Sequence, residues 1–178
     1  MPEPLEVVQA REHTNDKKYF EEIVKTMPLL IEWANDEIRD DKEIVLEAVK
    51  VDGGALEFSS DRLKDDKDVL LSAVSQAGWT ACYASERLKA DKDVMITAAK
   101  NDGQVLYFAS KELRDDKDVV LAAVSQKSII LKYASLRLRK DKDIAIAAIS
   151  QNKKCLEYID EDLQKDKDIQ KILNPENS

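Results

Sequence analysis

Hydrophobic and polar residues follow one another along this chain in a pattern that recurs at a constant interval. In residues 116–126, DKDVVLAAVSQ, the apolar positions include Val119, Val120, Ala123 and Val124. Residues spaced i, i+1, i+4 and i+5 lie on one side of an α-helix. The pattern therefore predicts an α-helix with one apolar side, here named helix A, in each repeat.

The start of helix A carries the most visible motif, Asp-Lys followed by an acidic residue. Its six copies begin, at a constant spacing of 25, at Asp41, Asp66, Asp91, Asp116, Asp141 and Asp166. An Asp placed directly before a helix accepts hydrogen bonds from the free N–H groups of the first turn. We therefore predict that these aspartates are structural helix caps. A Ca²⁺ site would gather its acids in one short loop, so the intervening lysines favour an Asp/Lys ladder between repeats and no metal.

A second helix, helix B, is predicted after helix A, for example in GQVLYFAS over residues 103–110. Gly53, Gly78 and Gly103 precede it, where we expect a left-handed helix cap or a tight turn. One column of helix B is aromatic and is predicted to lie in the core: Trp33, Phe58, Tyr83, Phe108, Tyr133 and Tyr158. The next column holds only N-capping residue types, so a short helical turn should follow.

These repeats predict an all-α fold, an α-solenoid of about six 25-residue two-helix units with right-handed superhelical stacking. Repeats of this kind stack on their neighbours and are covered at both ends by atypical copies. We expect an N-terminal cap segment over residues 1–15, one repeat domain over residues 16–170 and a C-terminal tail over residues 171–178. Which face of the stack is concave stays open.

The sequence DKDVVLAAVSQ, followed by LxYAS and a Leu before the next Asp-Lys, resembles the repeats of domain of unknown function 4116. The resemblance spans residues 16 to 170 and implies a helical repeat fold without a catalytic residue. Members from intracellular bacteria include parts of injected effectors. The resemblance thus implies a regulatory or host-directed binding role, with delivery into a host cell as an alternative to a cytoplasmic location.

Composition narrows the function classes. A net charge of −8 and a pI near 4.9 argue against direct nucleic-acid binding. The sequence shows neither an apolar stretch long enough for a membrane span nor a signal peptide. His13 is the only histidine, and Cys82 and Cys155 occupy different repeat slots. Without a Cys-His pair or a phosphate-binding motif, we predict a cytoplasmic protein that is not an enzyme and holds no cofactor.

The candidate binding residues are those where the repeat is broken. Three outward columns of helix B and the turn after it vary between copies, and two aromatics, Trp79 and Tyr107, fall there. The predicted partner-binding surface comprises Trp79, Cys82, Gln104, Tyr107, Lys111, Ile129, Lys132 and Leu136. An apolar centre with a charged rim is typical of protein-binding hot spots. The structural alternative is that Trp79 folds over a neighbouring helix and that Leu136 is a scattered surface apolar residue.

Function is thus expected to be protein binding, as a scaffold, adaptor, inhibitor or effector. The alternative is an acidic decoy that occupies a basic or nucleic-acid-binding surface of its target. We expect a monomer unless the surface around Trp79 pairs two chains.

Overall fold

A computed structural model describes residues 3–175 of the chain. Residues 1, 2 and 176–178, the outer ends of the predicted cap segment and tail, lie outside the described residues. The chain divides into two compact units, Met1–Leu88 and Lys89–Ser178. The described part is mostly helical and contains no strand, and similar elements recur from repeat to repeat. The predicted all-α repeat fold is confirmed.

Helix A is the longest element of each repeat. Its copies span Lys17–Ile23, Lys42–Val51, Lys67–Gln76, Lys92–Asn101, Lys117–Gln126, Lys142–Gln151 and Lys167–Leu173. In each unit, consecutive helices A pack against one another. They do so through the columns of small and branched residues, so Ala48 in the first unit and Ala123 in the second are fully buried. A small side chain at this column lets neighbouring backbones approach closely.

Helix B is present where the sequence predicts it, but it is a 3-10 helix. Its copies span Pro28–Trp33, Gly53–Phe58, Gly78–Tyr83, Gly103–Tyr107, Ser128–Tyr133 and Lys153–Tyr158. Each copy is closed by a hydrogen bond to the third preceding residue, as in the bond from the Ala134 N–H to the Leu131 carbonyl (3.0 Å). Short runs of this tighter helix are common as connectors.

The glycines before helix B do not form left-handed caps, so that alternative is wrong. No described residue has a positive φ; the residue before each glycine, such as Asp102 (φ −143°), is extended and makes the turn. Gly103 is required for another reason. A Cβ at this position would lie 2.3 Å from the Ala123 carbonyl oxygen of the next helix A.

A third, short helix, helix C, follows helix B. Its copies span Asp36–Arg39, Asp61–Lys64, Glu86–Lys89, Leu113–Asp115, Leu138–Lys140 and Glu161–Gln164. The predicted capping column starts these turns: the Ser135 hydroxyl accepts a hydrogen bond from the Leu138 N–H (3.1 Å). Each turn before the last buries one Ile or Leu, and Leu63 and Leu138 are fully buried, whereas Leu163 of the last turn is half-buried.

The core of each unit is mainly aliphatic, with Phe20 as a fully buried aromatic residue in the first unit. It contains Val45, Leu56 and Leu70 in the first unit and Val120 and Leu131 in the second, all without solvent exposure. Fully burying such a side chain contributes about 1.5–3 kcal/mol.

The six aromatic residues at the end of helix B are only half-buried, which corrects their assignment to the core. Two of these aromatic residues show which neighbours cover the column. Tyr83 in the first unit and Tyr133 in the second each contact the outward column of the repeat before, at Glu57 and Tyr107. The aromatic column therefore lies between repeats, at the border of the core.

The two ends differ from the inner repeats. Before the first helix A, an additional α-helix spans Leu5–Glu12 and buries only Ala10. At the other end, the last helix A continues to Leu173, past the predicted domain boundary at residue 170.

Candidate protein-binding surface

The Asp-Lys-Asp motif links consecutive repeats. Each of the six predicted capping aspartates precedes a helix A, and the Asp116 carboxylate accepts hydrogen bonds from the N–H groups of Asp118 (3.0 Å) and Val119 (3.2 Å). Its second oxygen binds Lys92 Nζ of the preceding repeat at 2.8 Å. The same lysine also reaches Asp118 at 2.7 Å. The motif therefore caps one helix and ties it to the repeat before it.

These bonds hold the capping carboxylates in their charged form. Burial alone would raise the pKa of Asp116, but the hydrogen bonds from Lys92 and from the Val119 N–H outweigh it, so the pKa lies below its usual value. Hydrogen bonding to Asp116 and Asp118 raises the pKa of Lys92 in turn. Because these bonds occupy the carboxylates and the lysine of the motif, its role is to cap helix A and to set the register between repeats.

A second inter-repeat contact was missed from the sequence. Asp40 ends the first helix C, and its carboxylate accepts hydrogen bonds from the Ser60 hydroxyl and from Arg62 Nε (3.0 Å). A guanidinium nitrogen of Arg62 also donates to the Asp40 carbonyl at 2.6 Å. We call this arrangement the Asp-Ser-Arg clamp. It recurs at Asp65, Ser85 and Arg87 and at Asp115, Ser135 and Arg137.

The remaining copies of the clamp show why one column alone does not reveal it. One repeat after Asp115, Lys140 occupies the aspartate position, so the charges are reversed. Its Nζ binds Asp160 at 3.2 Å. Another copy has Ala90 in place of the aspartate and, correspondingly, Glu112 in place of the arginine. Comparing the aspartate column with the arginine column would have shown that the two change together.

The predicted partner-binding residues fall into both units. Trp79 and Cys82 belong to the first unit, and the other six belong to the second. Large apolar side chains are exposed at Trp79 (44%), Tyr107 (55%) and Leu136 (74%). Cys82 and Ile129 are half-buried, and the remaining side chains, Gln104, Lys111 and Lys132, are exposed. The set thus has one part in each unit.

In the second unit, aromatic rings of consecutive repeats meet. The Tyr107 and Tyr133 ring centroids are 5.1 Å apart in an edge-to-face arrangement, a favourable aromatic geometry. Lys132 Nζ lies 4.8 Å from the Tyr133 centroid, within cation–π range. Leu136 follows in the turn before helix C. We call Gln104, Tyr107, Lys111, Ile129, Lys132, Tyr133 and Leu136 the Tyr107 surface.

In the first unit, one residue of the same column is a carboxylate, and it shows which side chain the repeat accepts beside a tyrosine of the next repeat. Glu57 occupies the slot of Tyr107 and accepts a hydrogen bond from Tyr83, which occupies the slot of Tyr133. Burial, assisted by this bond, raises the pKa of Tyr83 to about 12. Trp79 lies 5.8 Å from the Tyr83 ring and over Gly54. A carboxylate is accepted at this position of the repeat, so the fold itself does not require a tyrosine at position 107.

The single histidine and the two cysteines lie in different parts of the fold. His13 stacks on Tyr19 with 4.7 Å between ring centroids, and Cys155 is buried while Cys82 is half-buried. Within residues 3–175, no three His, Cys, Asp or Glu side chains are grouped so that they would hold a metal ion. In the same range no helix has the length and apolarity needed to cross a membrane.

Comparison with known proteins identifies the repeat. Neither the curated proteins nor the solved structures provide a match for this chain. One family profile, described as domain of unknown function, matches six overlapping windows that advance by one repeat at a time, at residues 16–64, 41–89, 66–114, 91–139, 116–164 and 141–171. The matched windows cover most of the sequence, and the chain belongs to this family, Domain of unknown function (DUF4116).

Proposed function

We propose that this chain is a protein-interaction module and that its second unit binds a partner protein through the Tyr107 surface. The observation that carries the proposal is the exposure of Tyr107 and Leu136 in columns where other repeats place acidic residues. Glu157 occupies the position of Tyr107 two repeats further on, and Glu161 occupies the position of Leu136 one repeat further on. Exposed tyrosine and leucine side chains contribute little to the stability of the free protein, but they contribute much to the free energy of binding when a partner excludes water from them.

The composition of the surface also favours a protein as the ligand. Tyr107 presents an aromatic side chain with few rotatable bonds, which loses little entropy on binding, and tyrosine is enriched at binding hot spots. Lys111 and Lys132 provide polar and charged groups beside the apolar ones, as in the rim of a transient interface. Trp79 and Cys82 in the first unit are proposed as a further contact region, which is tested separately.

The test is affinity capture with matched variants, followed by binding measurements on the captured protein. The Tyr107→Ala/Leu136→Ala variant removes the two apolar side chains, and Glu157→Ala/Glu161→Ala alters the same two columns elsewhere in the same unit. A specific partner should be retained by wild type and by the control and lost by the first variant. With the purified partner, loss of a hot-spot pair should weaken Kd about 30-fold or more.

Salt dependence separates this proposal from the acidic decoy. An interface centred on Tyr107 and Leu136 should persist when exposed ion pairs are screened, whereas a decoy held by net charge should be released. Equal recovery of all partners by wild type and by Tyr107→Ala/Leu136→Ala would contradict the proposal. Capture lost only in Trp79→Ala would move the binding surface to the first unit.

A further inference from the structure

The N-terminal end of the first unit contains a groove that the Tyr107 surface does not use. It has a volume of about 550 Å³ and lies between the additional helix Leu5–Glu12 and the first helix B, Pro28–Trp33. Pockets of this size bind ligands in many proteins. The sequence predicted only a cap for this end of the chain.

The groove has an apolar lining. Val7 contributes from the additional helix, and Pro28 and Leu30 contribute buried side chains from helix B. Met27 and Leu29 line it too and remain 40% and 47% exposed. A cap that served only to cover the core would bury such residues or replace them by polar ones. Their exposure in a concave site instead indicates that a ligand covers them.

The border of the groove is acidic. Glu3, Glu6, Glu32 and Asp52 line it, and Arg11 is the only cation among its described lining residues. Arg11 is already engaged, because its guanidinium lies 3.9 Å from the Trp33 ring centroid and 2.9 Å from the Glu3 carboxylate.

Three carboxylates of this border remain uncompensated. Within residues 3–175, Glu6, Glu32 and Asp52 have no cationic partner within 4.0 Å. The surrounding sequence has the same sign, since residues 1–40 contain ten acidic and five basic residues. Charge complementarity therefore favours a cationic ligand.

From these observations we infer that the groove binds a short segment of a partner protein in which apolar anchor residues are flanked by lysines or arginines. The anchors would pack on Met27, Leu29 and Trp33, and the flanking cations would face Glu6, Glu32 and Asp52. An apolar lining alone would accept many ligands, but its acidic border repels anionic membrane surfaces and nucleic acids. This site consists of residues of the first unit only and does not depend on the Tyr107 surface.

Trp33 provides a direct readout, because the chain has only two tryptophans. In the full chain with Trp79→Phe, Trp33 is the single reporter and lies in the groove. The probes are short synthetic peptides whose leucines are spaced as on one face of a helix or of a strand, with either lysines or glutamates at all other positions. A lysine peptide should change the Trp33 emission saturably, and its glutamate counterpart should not.

Matched variants locate the binding. Glu6→Gln/Glu32→Gln removes two charges from the groove, and Glu37→Gln/Glu161→Gln removes two exposed charges elsewhere. The first pair should weaken binding of the lysine peptide about fivefold or more, which is the factor that corresponds to one exposed ion pair in water. The second pair should weaken the same binding less than twofold. Met27→Gln, which changes the lining without changing the charge, should weaken it as well. Circular dichroism verifies that each variant is folded.

Four outcomes would overturn the inference. These are no binding of any lysine peptide, equal binding of the glutamate peptides, equal weakening by the two charge-neutralised pairs, and sedimentation that shows the groove occupied by a second copy. Equal weakening would mean that the peptide responds to overall charge. Self-association that Met27→Gln abolishes would assign the groove to a dimer contact.

Discussion

A close approach between two repeats provides a sharp test of the packing. Gly103 begins a helix B directly against the following helix A, and a Cβ there would lie 2.3 Å from the Ala123 carbonyl oxygen and 3.0 Å from the Lys127 nitrogen. Ordinary contact begins at 3.4 Å, so Gly103→Ala requires the two backbones to move apart at this point. The atoms it meets belong to the backbone and have no alternative rotamer.

The expected magnitude combines two opposing effects. Overpacking of this kind costs about 1–3 kcal/mol, and Ala in place of Gly returns about 0.4–1 kcal/mol by restricting the unfolded chain. The net loss of unfolding free energy should be about 1–2 kcal/mol. For a chain of this length, this corresponds to a melting temperature lower by about 2–8 °C.

Gly54→Ala is the matched control. Its Cβ would meet mainly the Asp52 side chain at 3.0 Å and the Trp79 ring at 3.6 Å, and these can adjust, so its melting temperature should stay close to wild type. Thermal unfolding of both variants compares them. Hydrogen exchange of the Lys127 amide, which donates to the Ala123 carbonyl at 2.9 Å, gives the local effect. The reasoning is refuted if Gly103→Ala is as stable as wild type or if Gly54→Ala loses more.

Removing the capping carboxylate in Asp116→Ala should lower the free energy of unfolding by about 0.5–2 kcal/mol, and Asp118→Ala should lower it less; urea denaturation distinguishes the two. Ala90→Asp/Glu112→Arg installs the missing clamp and should raise the melting temperature above either single variant, so a double-mutant cycle without favourable coupling would count against the clamp. Because the pKa values of the capping aspartates lie below the usual value of 3.8, their contribution is present above that pH and lost as the pH falls through the lowered values. The raised pKa values of the ladder lysines, above 10.5, place a second loss only in strong alkali, so the melting temperature should be flat at neutral pH and fall below about pH 4; a rise on acidification would be inconsistent with the ladder.

The sequence predicted the parts of the fold that depend on local chemistry. Asp116 and Ser135 are capping residue types before apolar runs, and their roles follow from the order of residues alone. The aromatic column was misplaced because periodicity reports that a residue is partly covered and not which neighbour covers it. Tyr133 is covered by Tyr107 of the preceding repeat. The two residues belong to different helices, so the periodicity within one helix cannot predict their contact.

The candidate surfaces were predictable to different degrees. Exposure of Tyr107 and Leu136 followed from comparing equivalent positions in the repeats. The groove did not, because it depends on how the atypical α-helix Leu5–Glu12 packs against the first helix B, and in the inner repeats the helix directly before a helix A is the short helix C. Likewise, the clamp depends on a pair of columns, so a reading of single columns could not show that Asp40 and Arg62 meet.

The reversed pair at Lys140 and Asp160 fixes the order in which the repeats can be joined. Deleting one repeat, residues 116–140, would bring Asp115 opposite Asp160 and Asp162, which occupy the slots of Ser135 and Arg137. Two acids would then face a third acid at that junction, and like charges in contact oppose the pairing. The repeats share one fold, yet they are not interchangeable. Tandem duplication or loss of a single repeat is therefore restricted to junctions of the same charge pattern.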